Sequence, residues 1–366
     1  MRRFSLVLAL LMPVALDDVL LAQARDINQK FFVVERNKEN NISEIDKLIK
    51  KAREAEEEGS IKKALEISKK IVLLQDQKHG LNNPFSALTM VNIGGLYRQL
   101  NEYSKAEEYY KNAISINSSI FGQNTEYNIV GFLGIANIYD EINDFEKAEE
   151  YYKKVLSIAE LPDTSISTLI NVLSIIGTYY SGKNEYSIAR DYYERILDIS
   201  KNNYGESSIQ FGRALSSLAG IYKYEEANLD KSEEFYLKSL SIHQNILGEV
   251  HIEISGLYID LAGIYRSQNR IREAEKYYLK SLDIKENLYG REHINLVDSL
   301  NYLGGFYLHA NKPKLAIKQH ERALSIIQAK RNSPTKMEAI TYSYLGWAHQ
   351  YMGEYQEAEN CYKQQY

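Results

Sequence analysis

Seven histidines, one cysteine and a few paired glycines are the residues of this 366-residue chain whose chemistry could exceed packing. His251 and His293 stand a full 42 positions apart. Metal ligands must converge to within about 2 Å of one ion, and residues a whole structural unit apart do not, so both read as loop-capping histidines. His309, His320 and His349 take places where the surrounding pattern puts aromatics or surface residues. Cys361 falls in a column that is otherwise aromatic. A nucleophilic cysteine wants a histidine partner and an electropositive setting; packing explains this one. Gly94-Gly95 and Gly304-Gly305 do not lie between a strand and a helix, so they form no phosphate-cradling loop. Charge runs such as Glu56-Glu57-Glu58 read as solvated helix faces. No catalytic residue, no metal set and no cofactor is expected, and the chain reads as non-enzymatic.

Composition narrows the remaining classes. With 44% hydrophobic and 25% charged residues the chain is a soluble folded protein and not a disordered tail. Lys plus Arg is 44 against 49 Asp plus Glu, a net charge of -5. That surface offers no field for gripping a phosphate backbone, so nucleic acid is not an expected partner. One cysteine leaves no internal disulfide framework and no Cys-based structural zinc. Thirty tyrosines against five prolines ask for an explanation.

A repeat supplies it. One small residue recurs as Ala64, Ala106, Ala148, Ala189, Ser232, Ala274, Ala316 and Ala358, at steps of 41 to 43. Ahead of it runs a segment with a small residue followed by an aromatic: Gly94 and Tyr97, Ala136 and Tyr139, Gly177 and Tyr180, Ala219 and Tyr222, Ala262 and Tyr265, Gly304 and Tyr307. Behind it comes a double aromatic such as Tyr109-Tyr110, Tyr151-Tyr152 or Tyr277-Tyr278. Tyr103, Ala106, Tyr110, Ala113 and Ile114 fall on one stripe of a 3.6-residue helix. Each unit is therefore a helix hairpin, with a polar turn such as Leu100-Asn101-Glu102 between its helices. Pro84, Pro162 and Pro334 punctuate the units, and Pro313 opens a second helix, where a missing N–H costs nothing. Gly80, Gly122, Gly205, Gly248 and Gly290 follow second helices, where a left-handed cap is expected.

Small residue, aromatic, alanine, aromatic and aliphatic at these offsets resemble the tetratricopeptide repeat. The 42-residue step and the tails Tyr289-Gly290-Arg291-Glu292-His293 and Leu247-Gly248-Glu249-Val250-His251 are similar to its kinesin-light-chain-like subclass. The resemblance covers residues 43–366 and implies an all-α fold, an α-α superhelix in the form of a right-handed solenoid of about eight hairpins. The units run over about 43–80, 86–122, 129–160, 168–205, 211–248, 254–290, 297–329 and 338–366, the last incomplete. The first, more charged, is the N-terminal cap, and Ser43-Glu44-Ile45-Asp46 can start its helix. In such a solenoid the concave wall comes from the first helices. Residues three before, one after and four after the small residue face it: Val91, Gly95, Arg98, Asn137, Asp140, Ser174, Thr178, Lys223, Arg266, Asn301 and Trp347, with Asn92 bordering them. Groove asparagines in the resembling family grip the backbone of an extended peptide, because an amide both donates and accepts. Arg98, Lys223 and Arg266 suit acidic side chains or a C-terminal carboxylate. The candidate partner-binding residues are thus Asn92, Arg98, Asn137, Lys223, Arg266, Asn301 and Trp347, and the expected partner is a protein or peptide.

The ends carry further expectations. Met1-Arg2-Arg3, an apolar stretch from Phe4 to Leu16 and the small-x-small pattern Ala22-Gln23-Ala24 read as a secretory signal peptide over 1–24. The apolar stretch is shorter than the roughly 20 residues a membrane-spanning helix needs, so export with cleavage, and no stable membrane insertion, is expected. Residues 25–42 form a polar lead-in. The abrupt stop at Tyr366 suggests the front of a longer chain. Exported arrays of this type resemble the regulatory arms of bacterial proteins with a caspase-like (CHAT) protease domain, and the alternative function follows from that. An intracellular sensor of signalling peptides would require residues 1–24 to be retained.

Overall fold

Alternation of apolar-striped segments with Asn- and Gly-bearing turns gives helices and nothing else among the described residues. The computed structural model describes residues 44–57, 59–224, 228–329 and 336–364. The signal peptide, the lead-in, Ser43 and Pro334 lie outside them. The helices are α1 (Glu44–Glu57), α2 (Ile61–His79), α3 (Pro84–Gln99), α4 (Tyr103–Phe121), α5 (Ile129–Glu141), α6 (Phe145–Ala159) and α7 (Ile166–Gly182). They continue as α8 (Tyr186–Tyr204), α9 (Ile209–Tyr224), α10 (Leu229–Leu247), α11 (Ile252–Ser267), α12 (Ile271–Tyr289), α13 (Val297–His309), α14 (Pro313–Ala329), α15 (Lys336–Met352) and α16 (Tyr355–Lys363). The chain divides at Glu185 into two units. The first holds the hairpins α1/α2, α3/α4 and α5/α6 followed by α7. The second opens with α8 and holds α9/α10, α11/α12, α13/α14 and α15/α16.

Local chemistry sets the helix ends. Asn83 accepts from the Ser86 amide at 2.9 Å ahead of Pro84, the first residue of α3. Ser165 caps α7 at 3.0 Å and Asn228 caps α10 at 3.0 Å in the same way. These caps precede the first apolar residue, so several first helices begin about two residues ahead of the stripe. Asn101, Asn143, Asn184, Asn269 and Asn311 close first helices at φ near +60°, a conformation asparagine tolerates better than other side chains. The glycines after the second helices differ from the expected left-handed cap. Gly80, Gly122, Gly248 and Gly290 do have positive φ, but ψ lies between 163° and 178°. That corner of the map belongs to glycine alone.

Two aromatic columns fill most of the hairpins after the first. The outer one stacks across it: Tyr97 on Tyr109 at 5.5 Å, Tyr139 on Tyr151 at 5.8 Å and Tyr265 on Tyr277 at 5.2 Å between ring centroids. The inner one is the core, with Tyr110, Tyr152, Tyr193, Tyr236 and Tyr278 all buried. The small column exists to admit it: a Cβ on Gly94 would come within 2.8 Å of the Tyr110 ring. Aliphatics such as Ile93, Leu133 and Leu300 are wholly buried as well, each contributing on the order of 2 kcal/mol by leaving water. Ser232, the one non-alanine in its column, is buried and donates to the Ala219 carbonyl at 2.7 Å across its hairpin. A hydroxyl fits where a methyl does because a first-helix carbonyl lies opposite.

Candidate binding surface

Asn137 is the best-formed polar group of the first unit. It lies on α5 one residue past Ala136 and is 8% exposed. The Tyr152 hydroxyl from α6 donates to its Oδ1 at 2.9 Å. Nothing among the described residues accepts from its Nδ2, which keeps solvent access. The tyrosine thus fixes the amide plane and leaves two N–H donors for a carbonyl that arrives from outside. Asp140, one turn on, is bound to Lys183 at 3.1 Å.

Arg98 is differently placed. Its Nη1 meets the Glu141 carboxylate at 2.5 Å, tying α3 to α5. Its Nε is enclosed without an acceptor. The side chain is a strut between neighbouring hairpins, with its charge already answered. Val91 is part of the core at 5% exposure; its apolar side chain turns into the hairpin instead of lining a wall. Asn92 is exposed.

In the second unit Asn301 departs furthest from the expectation. It is 7% exposed, its Oδ1 bonds His320 Nδ1 at 2.9 Å, and its Nδ2 donates to Thr341 Oγ1 at 2.9 Å. Both halves of the amide are used within the protein, so it locks α13 to α14 and α15 and offers no grip. Burial holds the His320 ring down to about 4, and the ring stacks on Tyr344 at 5.5 Å between centroids. Trp347 is 46% exposed on α15. His251 and His293 cap local turns, each Nδ1 accepting an amide two residues on at 3.3 and 3.2 Å. Cys361 is buried, and burial pushes its thiol up, away from the thiolate a nucleophile needs. Among the described residues no group of His, Cys, Asp and Glu could hold a metal. No helix there is long and apolar enough to cross a membrane.

Lys223 on α9 and Arg266 on α11 are each half-buried. Neither has a carboxylate within ion-pair distance among the described residues, whereas Arg213–Glu253, Arg270–Glu233, Lys312–Glu275 and Arg322–Glu286 all pair at 2.7 to 2.9 Å in the same unit. The register explains the difference. The acid that answers Arg98 is Glu141, five residues past the next small residue. The corresponding places opposite Lys223 and Arg266 hold Ser267 and His309. Asp260 shares the face, two residues before Ala262, in the column of Asn92. The spacing rule of three before, one after and four after passes over it, although Asn92 already marks that column as accessible.

Solved structures with this architecture share little sequence with the chain. The apo quorum sensor NprR from B. thuringiensis covers 96% of this chain and 97% of its own at 15% identity, with a TM-score of 0.61. BtubC (BKLC) from P. vanneervenii covers 65% and 93% at 23% identity, with a TM-score of 0.52. The STAND protein with a tetratricopeptide repeat sensor, PH0952 from Pyrococcus horikoshii, covers 84% of this chain and 44% of its own at 18% identity, with a TM-score of 0.56. These likenesses show the fold, an all-α repeat superhelix. No curated protein matches the sequence. The tetratricopeptide repeat model matches at residues 52–119, 86–161, 210–287, 253–329 and 295–365. With matches over most of its length and one hairpin per step of about 42 residues, the chain belongs to the tetratricopeptide repeat family.

Proposed function

We propose that this protein is a non-enzymatic interaction scaffold that holds an extended peptide, or an extended segment of a partner domain, along the concave face made by its first helices. The observation that carries the reading is the state of the polar groups on that face. Asn137 has its acceptor held by Tyr152 and its donors free, and Lys223 and Arg266 lack the carboxylate partners that the neighbouring cations have. Donors fixed in place lose little entropy on binding, and an extended backbone needs such donors at intervals. Cations without an ion-pair partner favour a partner with carboxylates. The 42-residue step supports grouping the array with the kinesin-light-chain-like repeats, and the N-terminal pattern supports a location outside the cytoplasm after cleavage behind Ala24.

The test is capture from the source extract with the mature chain as bait. Proteins held by the wild type and lost by the Asn137→Ala, Lys223→Met, Arg266→Gln variant, with unchanged circular dichroism, support the groove. Identical capture by both discards it. Mass spectrometry of the exported chain checks the cleavage point.

A further inference from the structure

His243 on α10 is 2% exposed, and both of its ring nitrogens face acceptors. Nδ1 stands 2.8 Å from the carbonyl oxygen of Ser239, one turn earlier. A carbonyl oxygen only accepts, so Nδ1 carries a hydrogen. The Ser239 hydroxyl lies 3.4 Å from the same nitrogen, but its own hydrogen goes to the Gly212 carbonyl of α9 at 2.7 Å. Nε2 stands 3.3 Å from Oε2 of Glu253 on α11. Arg213 of α9 also holds that carboxylate, Nε to Oε2 and Nη2 to Oε1, each at 2.9 Å. Gly212 leaves room for the ring, since a Cβ there would come within 2.9 Å of its Cε1. A neutral ring serves one of the two acceptors and turns a lone pair on the other. Only the imidazolium donates in both directions.

We propose that Arg213, His243 and Glu253 form a proton-operated clasp between the hairpin α9/α10 and the following helix α11, closed while the ring holds a proton on each nitrogen and loosened when one of them leaves. The clasp is independent of any ligand in the groove. Its carboxylate is a fixed point: the bond to His243 and the Arg213 fork hold the Glu253 carboxyl far below the usual carboxylate range, against the effect of burial. A lowered carboxyl loses its charge only on the acid side, so above pH 5.5 the proton that moves is the ring's. Arg213 keeps its charge at every pH used here, and the other titratable groups of the neighbouring turns are engaged separately. Lys238 on α10 lies over the Phe211 ring of α9, and Glu249 and Tyr258 of α11's approach and body both accept from Gln244. The sign follows: acid closes the clasp and alkali loosens it. The same register place in other hairpins holds Asn117, Ser200 and Lys285, so the device is confined to this one joint.

The experiment follows the full chain, labelled with 15N-histidine, from pH 5.5 to pH 9.0. Two-bond proton–nitrogen spectra report which ring nitrogens carry a hydrogen, and the signal missing from His243→Gln identifies the ring. Hydrogen exchange, corrected for the intrinsic rate at each pH, reports the first bonded amides of α11, beginning with Ser255, which donates to the His251 carbonyl at 3.2 Å. Expected is a doubly protonated ring at pH 5.5, and a roughly tenfold fall in the protection of these amides in step with the loss of its second proton. In Glu253→Gln, which keeps the shape of the side chain and removes its charge, the ring should lose that proton at a lower pH than in the wild type. A residue that merely fills space would show no such shift. His243→Gln should give protection that no longer changes over the range. If that variant does not fold, the shift in Glu253→Gln both identifies the ring and carries the test. The proposal is overturned by a ring with a single proton at pH 5.5, by a ring that keeps both protons to pH 9.0, or by α11 protection that stays constant while the ring deprotonates.

Discussion

His320 sits in the column that other hairpins fill with tyrosine, and its ring is wholly buried between Gly304, Asn301 and Tyr344. Nδ1 has Asn301, while Nε2 is enclosed without a partner. A proton added there would create a buried charge with no counter-ion, which is why burial lowers the ring to about 4 from an ordinary 6.5. The folded value lies below the unfolded one, so the unfolded chain takes the proton first as pH falls. The stability His320 contributes is complete above about pH 6.5 and declines down to about 4, by on the order of 3 kcal/mol. Urea denaturation across that window checks it. The wild type should lose more stability than His320→Tyr, a variant that restores the glycine–tyrosine pairing seen at Gly94 and Tyr110. Parallel curves for the two proteins would show that the ring is not the titrating group. That the position belongs to the core is legible from its register alone. That the ring would be held by Asn301, a residue the same register assigns to the open face, is not, because the bond depends on a short imidazole reaching a different turn of α13 from the one a tyrosine hydroxyl reaches.

Helices of this protein meet through glycines whose reasons differ, and the difference sets the sign of a substitution. Gly94 on α3 and Gly134 on α5 both abut the ring of Tyr110, which is buried. A methyl added at Gly305 on α13 would meet nothing within 4 Å. Alanine in a helix interior gains about 1 kcal/mol over glycine, whereas overpacking a filled core costs about 1–3 kcal/mol. Gly305→Ala should therefore raise the melting temperature and Gly134→Ala lower it, and differential scanning calorimetry of the pair reads both signs. The hairpins themselves follow from sequence because glycine, asparagine and tyrosine recur at fixed steps, each with a local reason. What periodicity does not reveal is which charged residues are already spent. Arg98 and Lys223 hold equivalent places, and only the identity of a residue some 43 positions on, Glu141 in one case and Ser267 in the other, decides that one is a strut and the other is open.

A repeat array draws its stability from intrinsic hairpin terms and from contacts between neighbours, so the same residue in the same column has different weight along the chain. Tyr193 on α8 is 6% exposed, and its column mate Tyr236 is buried with neighbours on either side. Tyr362 on α16 holds the same register place but is only partly buried, its hydroxyl donating to Gln350 at 2.9 Å. Gly346 beneath it is as close as in an inner hairpin, 2.7 Å from the ring for an added Cβ. The contact within the hairpin is thus kept, while the ring is less buried than that of Tyr193. Truncating a buried large aromatic costs about 3–5 kcal/mol when both sides are packed. Tyr193→Ala should approach that loss, and Tyr362→Ala should fall well short of it. Equal losses in chemical denaturation would mean that stability here is shared over the whole chain instead of passing between adjacent hairpins. If the losses differ as expected, hydrogen exchange should show the amides of α15 and α16 opening in Tyr362→Ala while those of α11 and α12 keep their protection, since a defect in one hairpin of an array of neighbours need not reach a distant one.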